Sequence, residues 1–239
     1  YTHPSGGSRI TYSQGKVAQQ AAEEAREKLL SYASEHLGVE RKALVCDSGR
    51  VYVGDDPGNG VTIGQLASVG VGSKYGPVVG QASLSSMPYA PVFTTHGAEV
   101  AVDKETGHVR VTRYVQAQDV GIAINPMAVE GQLEGGVVQG IGRALTEEVI
   151  FDSEDGHLRN PSLSTYLMPL AIDMPEIETI LINVPSDDGP FGARAVAEPP
   201  GFGPPAAIAN AIEDAVGVRI TDLPLNPERV LKALNGEHQ

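Results

Sequence analysis

The chain has 239 residues, 41% hydrophobic and 20% charged, the balance of an ordinary globular protein of one or two domains. Its 17 basic and 30 acidic residues give a net charge of −13, which works against a nucleic-acid partner held through its phosphates. The single cysteine, Cys46, excludes an intramolecular disulfide and any zinc site built on paired cysteines, and it fits a reducing compartment such as the cytoplasm.

In chain order, Val17, Ala21, Ala25 and Leu29 recur every fourth position within 16–37, and Gly38 follows, which predicts an amphipathic helix. Ala43–Cys46 and Arg50–Val53 flank Asp47-Ser48-Gly49, a hairpin signal. The stretch from Gly54 to Pro91 is rich in Gly, Ser and Pro; Thr62–Val69 reads as a short helix capped by Thr62, and the remainder needs packing or a partner to order it. Alternation at Val100, Val102, Val109 and Val111 around Asp103–Gly107 predicts a hairpin within 98–120 with one buried face.

Next, Val129, Leu133, Val137, Ile141 and Leu145 predict a long helix over 127–147, started by Asn125 and Pro126. Gly135, Gly136, Gly140 and Gly142 inside it cost roughly 0.5–1 kcal/mol each relative to alanine, so a neighbouring helix or a ligand must approach that backbone. Glu147–Asp152 with Gly156–Leu158 suggests a second hairpin, and Thr179–Val184 a strand. Two more helices follow, one over 205–216 stopped by Gly217 and one capped by Asn226 that ends at Asn235-Gly236. The expected class is α+β, with helices and β-hairpins in two lobes, 1–88 and 89–239.

Three segments can carry chemistry. Ser5-Gly6-Gly7-Ser8-Arg9-Ile10-Thr11, ahead of the first helix, is either a flexible leader or a turn whose N–H groups and hydroxyls bind an anion. Gln132, in Glu130-Gly131-Gln132-Leu133-Glu134-Gly135-Gly136, is either a surface residue of a closely packed helix or a donor–acceptor pair for an oxo group or pterin edge. Glu198, between Ala197 and Pro199-Pro200, is either a loop carboxylate paired with Arg194 or a rigidly held, desolvated general base. His96 has no Cys or His at ligand spacing and reads as a hydrogen-bonded structural residue, so no protein-ligated metal site is expected.

Taken in order, Gly7–Thr11, Asp119-Val120-Gly121-Ile122-Ala123-Ile124-Asn125-Pro126, the glycine-interrupted helix with Gln132, Gly189–Pro200 and Leu223–Val230 resemble the second molybdopterin-binding region of the xanthine dehydrogenase/aldehyde oxidase type molybdenum hydroxylases. The likeness covers nearly the whole chain. It implies a molybdenum–pterin cofactor, as molybdopterin or its cytosine dinucleotide form, contacted by Gly7, Ser8, Arg9, Ile10, Thr11 and Gln132. Glu198 matches the family's active-site glutamate, the base that activates a water-derived oxygen against an N-heterocycle or an aldehyde. Ala197 stands where the family usually has Gly, and Arg194 where it often has Lys.

Large subunits of that family are several times longer. The chain is therefore expected to be one piece of a larger assembly, with the N-terminal portion of the molybdopterin subunit, an iron–sulfur subunit and an FAD subunit as partners, and with Fe–S and FAD carried by those partners. No run approaches the ~18 apolar residues of a membrane span, and Tyr1-Thr2-His3-Pro4 has no signal-peptide character. The competing readings are a non-catalytic assembly or scaffold domain of the same fold and a phosphate- or nucleotide-binding domain using Gly6–Thr11. The last lacks a Walker spacing and a preceding strand.

Overall fold

The protein is described here by a computed structural model covering residues 4–71, 76–86 and 91–237. Positions 72–75 and 87–90 of the Gly/Ser/Pro-rich stretch lie outside the described residues. The chain divides into two compact units, one within residues 10–88 and the other from residues 3–9 with 89–239. The leading Gly/Ser turn, expected in the first lobe, thus groups with the second through Arg9.

In the first unit, a π-helical turn, Ile10–Gln14, leads into α1, Gly15–Leu37. Leu29, Leu30, Tyr32 and Ala33 on α1 are buried, and Gly38 closes the helix in the left-handed conformation that glycine adopts without strain, its N–H donating to Ser34 O at 3.0 Å. The expected hairpin is β1, Leu44–Asp47, with β2, Arg50–Val53. A third strand, β3 (Asp56–Thr62), pairs antiparallel with β2, within the Gly/Ser/Pro-rich stretch for which no strand is expected. The strand is possible because Gly60 has no side chain: a Cβ there would lie 2.6 Å from Tyr52 Cβ. Helix α2, Ile63–Val71, opens on a reciprocal cap, with Gln65 N–H donating to Thr62 Oγ1 at 3.2 Å and Thr62 N–H to Gln65 Oε1 at 3.0 Å. Leu44, Val51, Val61 and Leu66 complete the core begun by α1.

The second unit is a three-stranded sheet with helices packed on it. Strands β4 (Thr94–Val102) and β5 (Val109–Asp119) form the predicted hairpin, and β6 (Glu176–Ile182) lies parallel to β5, so β5 is central. Between β5 and β6 runs α3, Pro126–Leu145, whose first turn is capped by Asn125 Oδ1 accepting from Ala128 N–H at 3.2 Å. Helices α4 (Pro204–Val216) and α5 (Pro227–Leu234) follow. Val137 and Ile141 of α3, Ile208 and Ile212 of α4, and Tyr114 of β5 meet in one core.

The hairpin expected over 147–158 is not a pair of strands. Its sole β-bridge is Phe151 with Leu158; Val149, Ile150 and Phe151 are exposed, so the segment has no buried face to hold a longer ladder. The class is α+β, as the interleaving of helices and strands predicts.

Candidate active site

Gly7, Ser8, Gln132 and Glu198 all lie in the second unit. Gly7 and Ser8 both have positive φ, 68° and 53°, so the chain reverses within two residues; for serine that conformation is strained and needs support. Glu198, 190 residues away, provides it. Gly7 N–H donates to Glu198 Oε1 at 2.7 Å, and Glu198 N–H donates to Ser8 Oγ at 2.7 Å. The two segments form a reciprocal clasp, and among the described residues Glu198 Oε2 takes no hydrogen bond.

Glu198 sits where the loop meets a 3-10 turn, Pro199–Gly201, that leads into α4. The turn is closed by Gly201 N–H donating to Glu198 O at 2.9 Å, and the Arg143 guanidinium donates to Gly201 O. Upstream, Arg194 does not pair with Glu198. It bridges to Asp119 at 3.1 Å, donates from Nε to Val184 O at 3.0 Å, and its backbone N–H donates to Val120 O at 3.0 Å. Asp119 Oδ1 also accepts from Gly121 N–H at 3.0 Å and Val184 N–H at 3.2 Å. Arg194 is therefore a strut between the end of β5 and the loop, and the loop-pair reading of Glu198 is set aside.

Glu198 is exposed in this chain. The desolvated setting expected from its apolar and proline neighbours is not supplied by them: Pro200 turns inward onto α3 and leaves the carboxyl outside.

Beside the carboxyl lies a cleft of about 750 Å³, within the range of ligand sites, lined by Gln132, Gly135, Gln139 and Arg143 of α3 together with Glu198 and Phe202. The helix glycines divide by face. A Cβ on Gly136 would come within 2.5 Å of Pro200, and one on Gly140 would meet Pro204, so the first admits the proline turn that follows Glu198 and the second the start of α4. A Cβ on Gly131 or Gly135 would meet nothing within 4 Å. Gln132 is exposed into the cleft, and its amide makes no hydrogen bond among the described residues.

Of the residues singled out in the sequence, the fold thus joins Gly7, Ser8 and Glu198, and places Gln132 and Glu198 along one cleft. Arg9 completes the leading segment of this unit, while Ile10 and Thr11 belong to the first unit as the start of its π-helical turn. Gln139, Arg143 and Phe202 were not foreseen. For the first two a signal exists, because positions 132, 139 and 143 fall on one helical face.

Residues 1–175 match the model of the molybdopterin cofactor-binding domain, close to three-quarters of the chain. The chain belongs to the molybdenum hydroxylase family. It is 35% identical over 92% of its length to the probable hypoxanthine oxidase of Escherichia coli (strain K12), and 32% identical over 96% of its length to the nicotine 6-hydroxylase large subunit of Paenarthrobacter nicotinovorans. Among solved structures it superposes on quinoline 2-oxidoreductase of Pseudomonas putida with a TM-score of 0.86, at 28% identity over 98% of the chain. The chain spans 23%, 29% and 31% of those three, so it corresponds to about a quarter to a third of a molybdenum hydroxylase large subunit. Among the described residues, no group of three or more His, Cys, Asp or Glu is arranged to hold a metal ion, and no helix is long and apolar enough to cross a membrane.

Proposed function

We propose that this chain forms one wall of a molybdenum hydroxylase active site in which Glu198 is the general base. The observation that carries the reading is the clasp: Oε1 is anchored on Gly7 N–H while Oε2 is left to take a proton at the edge of the cleft. The residues suit the cofactor. Gln132 offers an unpartnered amide with both a donor and an acceptor, and the missing side chain of Gly135 leaves room that a Cβ would fill.

In this reading Gly7, Ser8 and Arg9, together with Gln132, hold the molybdenum–pterin cofactor, either as molybdopterin or as its cytosine dinucleotide. When bound, the cofactor would supply the two-electron acceptor that takes up the hydride leaving the attacked carbon. Glu198 removes a proton from the water-derived oxygen, so that it attacks an electron-poor carbon of an N-heterocycle or an aldehyde; the 3-10 turn and the Ser8 bond keep the carboxyl from swinging away as it does so. The remaining portion of the large subunit, an iron–sulfur subunit and an FAD subunit complete the assembly in the cytoplasm. The size of the chain relative to its relatives supports the first of these partners, as does the exposure of Leu163, Leu167, Leu170 and Ile172.

The test is Glu198→Gln in the assembled complex. The amide oxygen still accepts from Gly7, so the clasp stands, and kcat should fall on the order of 10²–10⁴-fold with molybdenum and pterin content unchanged. Full turnover removes the assignment. A wild-type complex containing neither molybdenum nor pterin favours the scaffold reading instead.

A further inference from the structure

We infer that Gln118, backed by Gln116, is a positioning residue that holds the loop presenting Glu198. Both glutamines lie on β5, two residues apart and therefore on one face of the strand, and both are 0% exposed. Uncharged amides are retained in a core only where they are hydrogen-bonded to some purpose. Gln118 Nε2 donates to Val196 O at 3.1 Å and, more weakly, to Ala195 O at 3.5 Å. Its orientation is fixed from behind, because Gln116 Nε2 donates to Gln118 Oε1 at 3.1 Å and also to Thr94 Oγ1 at 3.3 Å. Gln116 Oε1 is buried and takes no partner, so Gln116 acts only as a donor and the relay points one way, toward the loop.

The loop needs this support. Arg194 is fixed to β5 by its ion pair and backbone bond, and Glu198 is fixed by Ser8 and Gly7. Between them, residues 195–197 form no helix or strand, and among the described residues Gln118 supplies their only hydrogen bonds. Without those bonds the segment joining the two anchors would be free to shift, and the Glu198 carboxyl would shift with it.

The catalytic half of this inference rests on Glu198 being the base; the structural half does not. The experiment is hydrogen–deuterium exchange on the chain in its assembled complex, comparing wild type with Gln118→Met, which keeps the side-chain length and removes the donor. Exchange at the hydrogen-bonded amides on either side of the segment, Arg194, Glu198 and Gly201, should accelerate about tenfold, the scale of one lost hydrogen bond, while β4 and β5 keep their protection. In the same variant kcat should fall about tenfold with KM and cofactor content unchanged, the signature of an interaction used only in the chemical step.

Unchanged exchange at Arg194, Glu198 and Gly201 overturns the inference, and so does faster exchange with an unchanged kcat. If Glu198→Gln is itself fully active, the base assignment has failed, and exchange alone decides whether Gln118 holds the loop. Should Gln118→Met not fold, Gln116→Met leaves the Gln118 donor in place but releases its orientation. A smaller acceleration, about threefold, is then expected at the same amides, and none there overturns the inference.

Discussion

His96 is held by two hydroxyls and a glycine. Its Nδ1 lies 2.9 Å from Tyr114 Oη and its Nε2 3.0 Å from Thr94 Oγ1, while Gly203 packs so closely on the ring that a Cβ there would overlap it. One proton arrangement satisfies every atom. Thr94 donates to Ala117 O, accepts from His96 Nε2–H, and leaves Nδ1 to accept from Tyr114. A second proton on the ring would leave Nδ1–H facing a hydroxyl that already donates to it. Burial accordingly pushes the His96 pKa below its usual 6.5. The folded form therefore binds fewer protons than the unfolded form, so stability is fully present above pH 6.5 and is lost as pH falls from there through the folded value. The melting temperature should drop between pH 7 and 5 in the wild-type protein and much less in His96→Gln, as read by thermal unfolding. An equal drop in both would place the acid sensitivity elsewhere. It cannot come from Asp103 or Asp152, whose carboxyls are held below the usual value of 3.8 chiefly by the backbone N–H groups of Glu105 and Glu154.

Helix α3 carries two kinds of glycine, and they should respond oppositely to alanine. A methyl on Gly136 would strike Pro200 at 2.5 Å, and a proline ring yields little, so Gly136→Ala should destabilise the chain by about 1–3 kcal/mol. The turn bearing Glu198 should be displaced with it. A methyl on Gly135 meets nothing within 4 Å and removes the entropic penalty of glycine, so Gly135→Ala should stabilise the helix by roughly 0.5–1 kcal/mol. Its cost falls on the cleft, where the proposed site predicts weaker retention of the pterin. Denaturant unfolding and pterin content of the purified complex separate the two effects. A Gly136→Ala variant as stable as wild type would show that the proline turn is not seated on this helix.

Over the whole molecule, the apolar residues that find no cover gather in the segment after α3. Leu163, Leu170 and Ile172 are 79%, 64% and 89% exposed, and several exposed apolar neighbours surround them in sequence. Scattered exposed leucines are ordinary, whereas a run of them in one segment marks an interaction surface. Under the proposed function its occupant is the remaining portion of the large subunit. Leu170→Asp combined with Ile172→Asp should leave the stability of the chain within about 0.5 kcal/mol and abolish co-purification with that portion. Retained assembly would show that this segment faces solvent in the complex.

The sequence by itself determined the elements whose signals are local. The four-residue spacing of Leu133, Val137 and Ile141 gave α3; Ser48-Gly49 gave the β1–β2 turn; Thr62 and Asn226 marked the starts of α2 and α5. The ordered motifs from Gly7 to Val230 were enough for the family, because a string of short segments in fixed order is information the chain carries directly. Strand β3 was not legible, since its glycines and proline disfavour a strand and only its pairing with β2 makes it one. The second hairpin closes with a single bridge, Phe151 with Leu158, for the converse reason: its exposed apolar residues find no surface on which a longer ladder could form. Only the tertiary structure decided that Ser8 meets Glu198, that Arg194 turns to Asp119, and that Gln118 reaches Val196. Each of these pairings spans more than 70 positions, and no local window encodes it. Each is fixed by the packing of the whole second unit, which brings together side chains that carry no sign of one another in the sequence.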